Sequence, residues 1–263
     1  MPNAEDQLWE DGYVVLPDFF DPPYVTALRH IVEALYLQEG DFAGAEFRQE
    51  VGCRRLANLV NKHPLMAELV NDHRMLALVR VILGEDIKLS SLNARSAEPM
   101  NRHAQPLHAD MGALPDTLGP WVCNCVWMLD DFSKNNGALR VVPGSHQFGQ
   151  LPQDVLDHPE DEHPDEVVVT GTAGTLVVLN AHLWHAGRAN ETRSPRRAIH
   201  AFYTRRDKPQ QQLQEQLLDP EVIVRLSPQQ RHLLAIGDSR NAEVTRANKI
   251  RSGFLRSRAA ERP

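Results

Sequence analysis

Cysteine is scarce in this chain. Cys53, Cys123 and Cys125 are the three present, and their spacing matches neither a disulfide framework nor a zinc knuckle. Free thiols in a reducing compartment are therefore expected. Long apolar runs are also missing: no stretch approaches the roughly 18 residues of a membrane span. The first residues, Met1-Pro2-Asn3-Ala4-Glu5-Asp6, lack the basic segment and apolar run of a signal peptide, so a cytoplasmic location is expected. A basic excess is absent as well, with 28 Lys and Arg against 35 Asp and Glu and a net charge of −7. That excludes the basic stripe of a nucleic-acid binder and gives no general attraction to a membrane surface.

The 263 residues are 42% hydrophobic and 24% charged, the balance of one large globular domain. An N-terminal part, residues 1–86, reads as mainly helical. Tyr13-Val14-Val15-Leu16 is a short strand closed by Pro17. Asp21-Pro22-Pro23 opens a helix whose apolar positions include Val25, Leu28, Ile31, Val32 and Leu35. A second helical block covers 64–83, with a break near Asn71-Asp72. From Ile87 the pattern changes to short β-rich runs, at 87–95, 121–129, 138–142, 166–170, 175–184 and 197–204. Many short strands punctuated by Gly, Pro and Asn predict an antiparallel barrel or sandwich over about 87–205. The acidic, Pro-rich segment 152–165 reads as a solvated loop or lid. Residues 206–263 form a polar extension with a helix from Ser227-Pro228 to Ala235 and a weakly patterned tail after about 237.

Chemistry enters through histidine. Two imidazoles and a carboxylate on one face of an octahedron, with open positions opposite, suit a non-haem Fe(II) centre. His-x-Asp supplies two such ligands, because residues i and i+2 of an extended segment point the same way. The pattern occurs twice, as His108-Ala109-Asp110 and His163-Pro164-Asp165. His163 lies in the acidic loop, where a solvated side chain is the ordinary outcome. His108 follows a β-like run and is the preferred ligand with Asp110. The third ligand is one of His146, His182, His185 and His200. His182 and His185, three apart in one apolar segment, would face opposite sides of a strand, and spacing does not choose between them.

Several ordered blocks settle the choice by likeness. DGYVVLPDFF near the start, PLHAD at 106–110, WMLDDFSKNNGALRVVPGSH at 127–146, GTLVVLNAHLWHAGRANET at 174–192 and the pair Arg196-Arg197 resemble the phytanoyl-CoA dioxygenase family of Fe(II)/2-oxoglutarate oxygenases. The resemblance covers roughly residues 8–205. It implies a mainly β fold, a double-stranded β-helix (jelly roll) with flanking α-helices. It implies Fe(II), 2-oxoglutarate and O2 as cofactors, and hydroxylation of a small molecule with release of succinate and CO2. It implies His185 as the distal ligand, since His185 opens a family-like His-Ala-Gly-x-x-Asn-x-Thr block, and Arg196 as the partner of the far carboxylate of 2-oxoglutarate. A guanidinium grips a carboxylate bidentately, which agrees with that role.

Many family members carry a hydroxyl two residues after the distal histidine, where this chain has Gly187. Asn124, the lone polar residue of the run 122–128, is a candidate for the missing hydrogen bond, with a purely structural role as the alternative. Related halogenases replace the ligating carboxylate by a small residue; Asp110 fills that place and favours hydroxylation. His146 in Pro143-Gly144-Ser145-His146 and the thiols Cys123 and Cys125 read as structural. Trp121, Trp127 and Trp184 are divided between pocket lining and core. A non-oxidative jelly-roll isomerase or binding module remains the alternative function.

Overall fold

The computed structural model describes residues 3–247. Among these residues nine strands follow in chain order: β1 (Tyr13–Leu16), β2 (Cys53–Leu56), β3 (Ile87–Ala97), β4 (Val122–Met128), β5 (Leu139–Val141), β6 (Val167–Val169), β7 (Leu176–Asn180), β8 (His185–Gly187) and β9 (Arg196–Arg205). Six of them form a major sheet in the order β1-β7-β4-β9-β3-β2, and three form a minor sheet, β6-β5-β8. All the pairings within both sheets are antiparallel. The apolar cluster of Val126, Met128 and Val177 with Val141 and Val169 joins the two sheets face to face.

Period-two alternation gives the major sheet two different faces. On β4, Cys123, Cys125 and Trp127 point outward into the main core, as do Ile199, Ala201 and Tyr203 on β9. The helices Pro22–Glu39, Pro64–Leu69 and His73–Leu83 cover that outer face through Leu28, Val32, Met66, Met75 and Val79. Asp21 caps the first of these helices by accepting from Tyr24 N, as the Asp-Pro-Pro start predicts. The break at 71–72 falls where Asp72 caps the next helix. The inner face carries Asn124 and Val126 of β4, Asn93 and Arg95 of β3, and Arg196 and His200 of β9. All six line a cavity between the sheets.

Two readings of the sequence need correction. The run 175–184 is not one strand. It ends at Asn180, whose side chain accepts from His182 N and whose carbonyl accepts from Leu183 N, a turn hidden among apolar residues. His182 therefore sits in a turn and His185 on a separate strand, so the opposite-face argument does not apply to them. The second correction is β2, a strand of sequence Cys-Arg-Arg-Leu that the residue pattern did not indicate.

The acidic segment is tied down rather than loose. Arg140, 2% exposed, donates to the carbonyls of Asp161, Gln105, Pro159 and Glu160 and to the Glu166 carboxylate. Beyond β9, helices at Gln214–Leu217, Pro220–Arg225, Pro228–Leu233 and Ser239–Ala247 continue the extension. Ser227 and Gln230 form a capping box at the expected helix start. Leu218, Leu226, Leu233 and Leu234 join the main core, so the described part of the extension is packed; the tail from 248 onward lies outside the described residues.

Candidate metal centre

Two strand-like segments meet at the cavity mouth. His108 and His185 form an isolated antiparallel bridge, with His108 N donating to His185 O at 3.0 Å and His185 N to His108 O at 2.9 Å. A doubly bonded antiparallel pair sets its side chains side by side, and the ring centroids lie 4.5 Å apart. Asp110, two residues on, reaches the same side. One atom from each of His108, Asp110 and His185 falls within a set no wider than 4.8 Å, a grouping able to hold a metal ion. His185 Nε2 is 3.5 Å and His108 Nε2 3.9 Å from the Asp110 carboxylate oxygens.

The tautomers follow from the neighbours. His108 Nδ1 lies 2.9 Å from Pro106 O, and His185 Nδ1 lies 2.9 Å from Leu183 O. A carbonyl only accepts, so each Nδ1 carries a proton, and in the neutral imidazole each Nε2 presents its lone pair toward Asp110. That is the orientation a metal-binding imidazole needs. Asn124 donates to Asp110 Oδ2 at 2.7 Å, so the buried partner expected of Asn124 is the carboxylate of the cluster.

Electrostatics hold two of the three groups, Asp110 and His108, in their ligating state and favour a proton on His185. Burial would raise the Asp110 carboxyl, but the charge and hydrogen bond of His185, with His108 and Asn124, hold it well below the usual carboxylate range. Burial, and then the neighbouring His185, push the His108 imidazole down to about 4. Burial also opposes the charged form of His185, yet Asp110 beside it raises its pKa above the ordinary 6.5. The pair thus divides one carboxylate unequally, with His185 holding the closer contact.

Arg196 and Arg197 point to opposite sides of β9. Arg197 faces outward, with Nε and Nη2 on the Asp130 carboxylate at 2.7 and 2.8 Å and Nη1 on Glu33 at 2.9 Å. Arg196 faces the cavity and is buried. Its Nη2 donates to Gly137 O, its guanidinium lies 4.3 Å over the Phe132 ring, and its Nε has no partner. Burial lowers its pKa to about 10, still charged at neutral pH. Gly137 closes the Asn135-Asn136-Gly137 turn at φ +83°, and a Cβ there would stand 2.8 Å from Ala97 Cβ. The turn thus needs glycine to bring its carbonyl under Arg196.

The other histidines stand apart or play other parts. His146 bonds the Trp9 carbonyl, His182 Nδ1 lies 2.6 Å from Gly112 O, and His163 Nδ1 accepts from Asp165 N within its own loop. His200 does line the cavity, four residues from Arg196 on the same face, with a buried Nε2 that has no partner. None of the three tryptophans lines the cavity; Trp127 is in the main core and Trp184 packs with Leu107 and Val142. At Gly187, Gln105 fills the space a side chain would take: its Oε1 accepts from Gly187 N at 3.0 Å. Gln105 and the arginines Arg55 and Arg95 also line the cavity, and the sequence reading did not single them out. The only signal for the two arginines was odd-numbered placement along β2 and β3, which needs the strands to be known first, and Gln105 lies in an irregular segment that carries none. The cavity measures about 340 Å³, room for a small molecule.

Ectoine dioxygenase from Halomonas elongata is 28% identical over 235 residues, spanning 77% of this chain and 69% of its own. Dioxygenase af480 from Aspergillus fumigatus is 33% identical over 165 residues, 61% of this chain, though the match spans only 52% of af480. Among solved structures, the non-haem α-ketoglutarate-dependent carbocyclase SnoK from nogalamycin biosynthesis matches with a TM-score of 0.63 and 26% identity, covering 78% of this chain and 83% of SnoK. EctD from S. alaskensis has a TM-score of 0.65 at 22% identity, covering 76% and 75%, which establishes the shared jelly-roll fold. The family model for phytanoyl-CoA dioxygenase (PhyH) matches residues 8–198, and the chain belongs to that family.

Proposed function

We propose that this chain is an Fe(II)- and 2-oxoglutarate-dependent dioxygenase that hydroxylates a small molecule. The observation that carries the reading is the convergence of His108, Asp110 and His185, both Nε2 atoms directed at the carboxylate, beside a buried arginine with a donor to spare. His108, Asp110 and His185 would hold the iron, and Arg196 the far carboxylate of 2-oxoglutarate. With these bound, O2 oxidatively decarboxylates 2-oxoglutarate to succinate and CO2 and delivers one oxygen atom to a substrate C–H bond.

The protein's own part is positioning. Asn124 fixes the rotamer of Asp110 and leaves its other oxygen for the metal. The Pro106 and Leu183 carbonyls fix the two rings. Phe132 under Arg196 excludes water from the guanidinium, which strengthens its pairing with an anion. Gln105 against Gly187 N stands where a hydroxyl-bearing side chain would otherwise reach the cavity. The relatives named ectoine dioxygenase and L-proline trans-4-hydroxylase act on compact, polar molecules, and a cavity of about 340 Å³ accepts substrates of that size.

The test is an anaerobic titration with Fe(II) and 2-oxoglutarate, followed by admission of O2 and assay of succinate. A weak visible charge-transfer band should grow in when both are present. His108→Ala and Asp110→Ala should lose it; His163→Ala should keep it. Absence of the band in the unaltered protein, with no 2-oxoglutarate-dependent succinate, would rule the reading out.

A further inference from the structure

One charged cluster in the cavity has no part in the scheme above. Arg55 on β2 and Arg95 on β3 are direct partners across the antiparallel pair. Like charges directly opposite one another destabilise a sheet. Both reach the carboxylate of Glu50, Arg55 Nη2 at 2.6 Å and Arg95 Nη2 at 3.0 Å, and Arg48 pairs with the same carboxylate. Arg55 is 6% exposed, and its Nε, like that of Arg48, is buried without a partner. Arg95 is set over the inner face by its neighbour: the residue opposite it on β9 is Ala198, which leaves the space between Arg196 and His200 open.

The charge does not balance. Among the described residues, five arginines and two carboxylates line the cavity, and one of the five, Arg188, is paired with Glu162 and Glu166. The remaining Arg48, Arg55, Arg95 and Arg196 face Glu50 and Asp110, an excess of two positive charges. A doubly charged cation and a doubly charged 2-oxoglutarate leave that excess unchanged. Excess charge is costly where it is buried, as at Arg55 and Arg196; Arg95, part-exposed and paired with Glu50, faces the open cavity, so an anion entering near it would offset the excess.

We propose that the arginine cluster around Glu50 is the seat for an oxyanion, a carboxylate or phosphate, carried by the substrate. Arg95 and Arg55 are specificity-determining residues in that case, and the C–H bond to be oxidised lies at a fixed offset from the acidic group. This rests on the Fe(II)/2-oxoglutarate reading of the site, with Arg196 reserved for the cosubstrate.

Acetate and inorganic phosphate serve as probes. Each is titrated at fixed ionic strength, by calorimetry and by its effect on the visible band, into the full chain loaded under argon with Fe(II) and 2-oxoglutarate. Saturable binding of one is expected, and which one binds tells carboxylate from phosphate. Arg95→Gln should weaken it about tenfold or more, and Arg95→Lys should largely restore it. The dissociation constant for 2-oxoglutarate should be the same in both variants. No saturable binding of either probe, or equal binding by Arg95→Gln, overturns the proposal. It is also overturned if Arg95→Gln weakens 2-oxoglutarate as much as Arg196→Gln does, since the cluster would then seat the cosubstrate. If Arg196→Gln leaves 2-oxoglutarate binding intact while anion binding still follows Arg95, the cosubstrate assignment fails and the anion seat stands.

Discussion

Adjacent arginines on β9 offer a paired test. Arg196→Ala removes a buried cation from the cavity, and losing one member of such a pair costs about 2–5 kcal/mol, so the dissociation constant for 2-oxoglutarate should rise about 30-fold or more. Metal binding should be unaffected. Arg197→Ala should leave 2-oxoglutarate binding alone and instead cost about 1.5–3 kcal/mol of stability, because it breaks charge-assisted bonds to Asp130 and Glu33. An exchange of those two phenotypes would contradict the observed facing of β9. A second expectation concerns protons. A metal needs His185 neutral, and Asp110 raises the pKa of His185 above 6.5 in the metal-free protein. Fe(II) affinity should therefore fall tenfold per unit as pH drops below that raised value. His108, pushed down to about 4, adds a second proton only near that pH. A flat affinity between pH 5 and 7 would show that His185 is not a ligand. Individual residues were legible in the sequence to different degrees. His108 and Asp110 stood out because i, i+2 spacing is a local property. His185 did not, because the turn at Asn180 separates it from His182 and that turn is made by hydrogen bonds no spacing records.

Among the elements, the segment 152–165 is largely exposed, as a solvated loop would be, yet it is anchored from beneath. One buried guanidinium collects three of its carbonyls and the adjoining Glu166 carboxylate, and Leu107 N donates to Pro159 O beside His108. Arg140→Ala should release it. A glutamate-specific protease should then cut near Glu160 and Glu162 at least about tenfold faster than in the unaltered chain, through local opening. Cuts spread evenly along the chain would mean global unfolding and would refute a local role for Arg140. The strands β3, β4 and β9 were readable because they are long and strongly patterned. The strand β2 was not: its Arg54 and Arg55 are matched by Glu98 and Glu50, partners that are distant or irregularly spaced, so its polarity is satisfied by tertiary contacts.

For the molecule as a whole, the site lies between two sheets that pack on one another, so ligands that bind only the folded state should stabilise all of it. Fe(II) and 2-oxoglutarate each at a hundred times its dissociation constant contribute about 2.7 kcal/mol per site, and either alone should raise the melting temperature by roughly 5–10 °C. Asp110→Ala should abolish the shift due to Fe(II). A shift that persists in Asp110→Ala would place the metal elsewhere. The C-terminal extension belongs to this same cooperative unit. Lys88, fully buried on β3, donates to Asn241 Oδ1 at 2.7 Å and to Arg206 O at 2.9 Å. Composition gave only a polar tail there, since the partners of Lys88 are more than a hundred residues away.

The two faces of β9 also bear on how such a chain can change over generations. A side-chain exchange on this strand alters one face and spares the other. Deleting one residue between Arg196 and His200 would invert part of the strand at once, moving one of these two inner-face residues out toward the helices and an apolar core residue into the cavity. Lineages descending from such a chain can therefore explore new substrates through point replacements on β2, β3 and β9. Insertions and deletions should be confined to the connecting segments, with the lengths of β3, β4 and β9 held fixed.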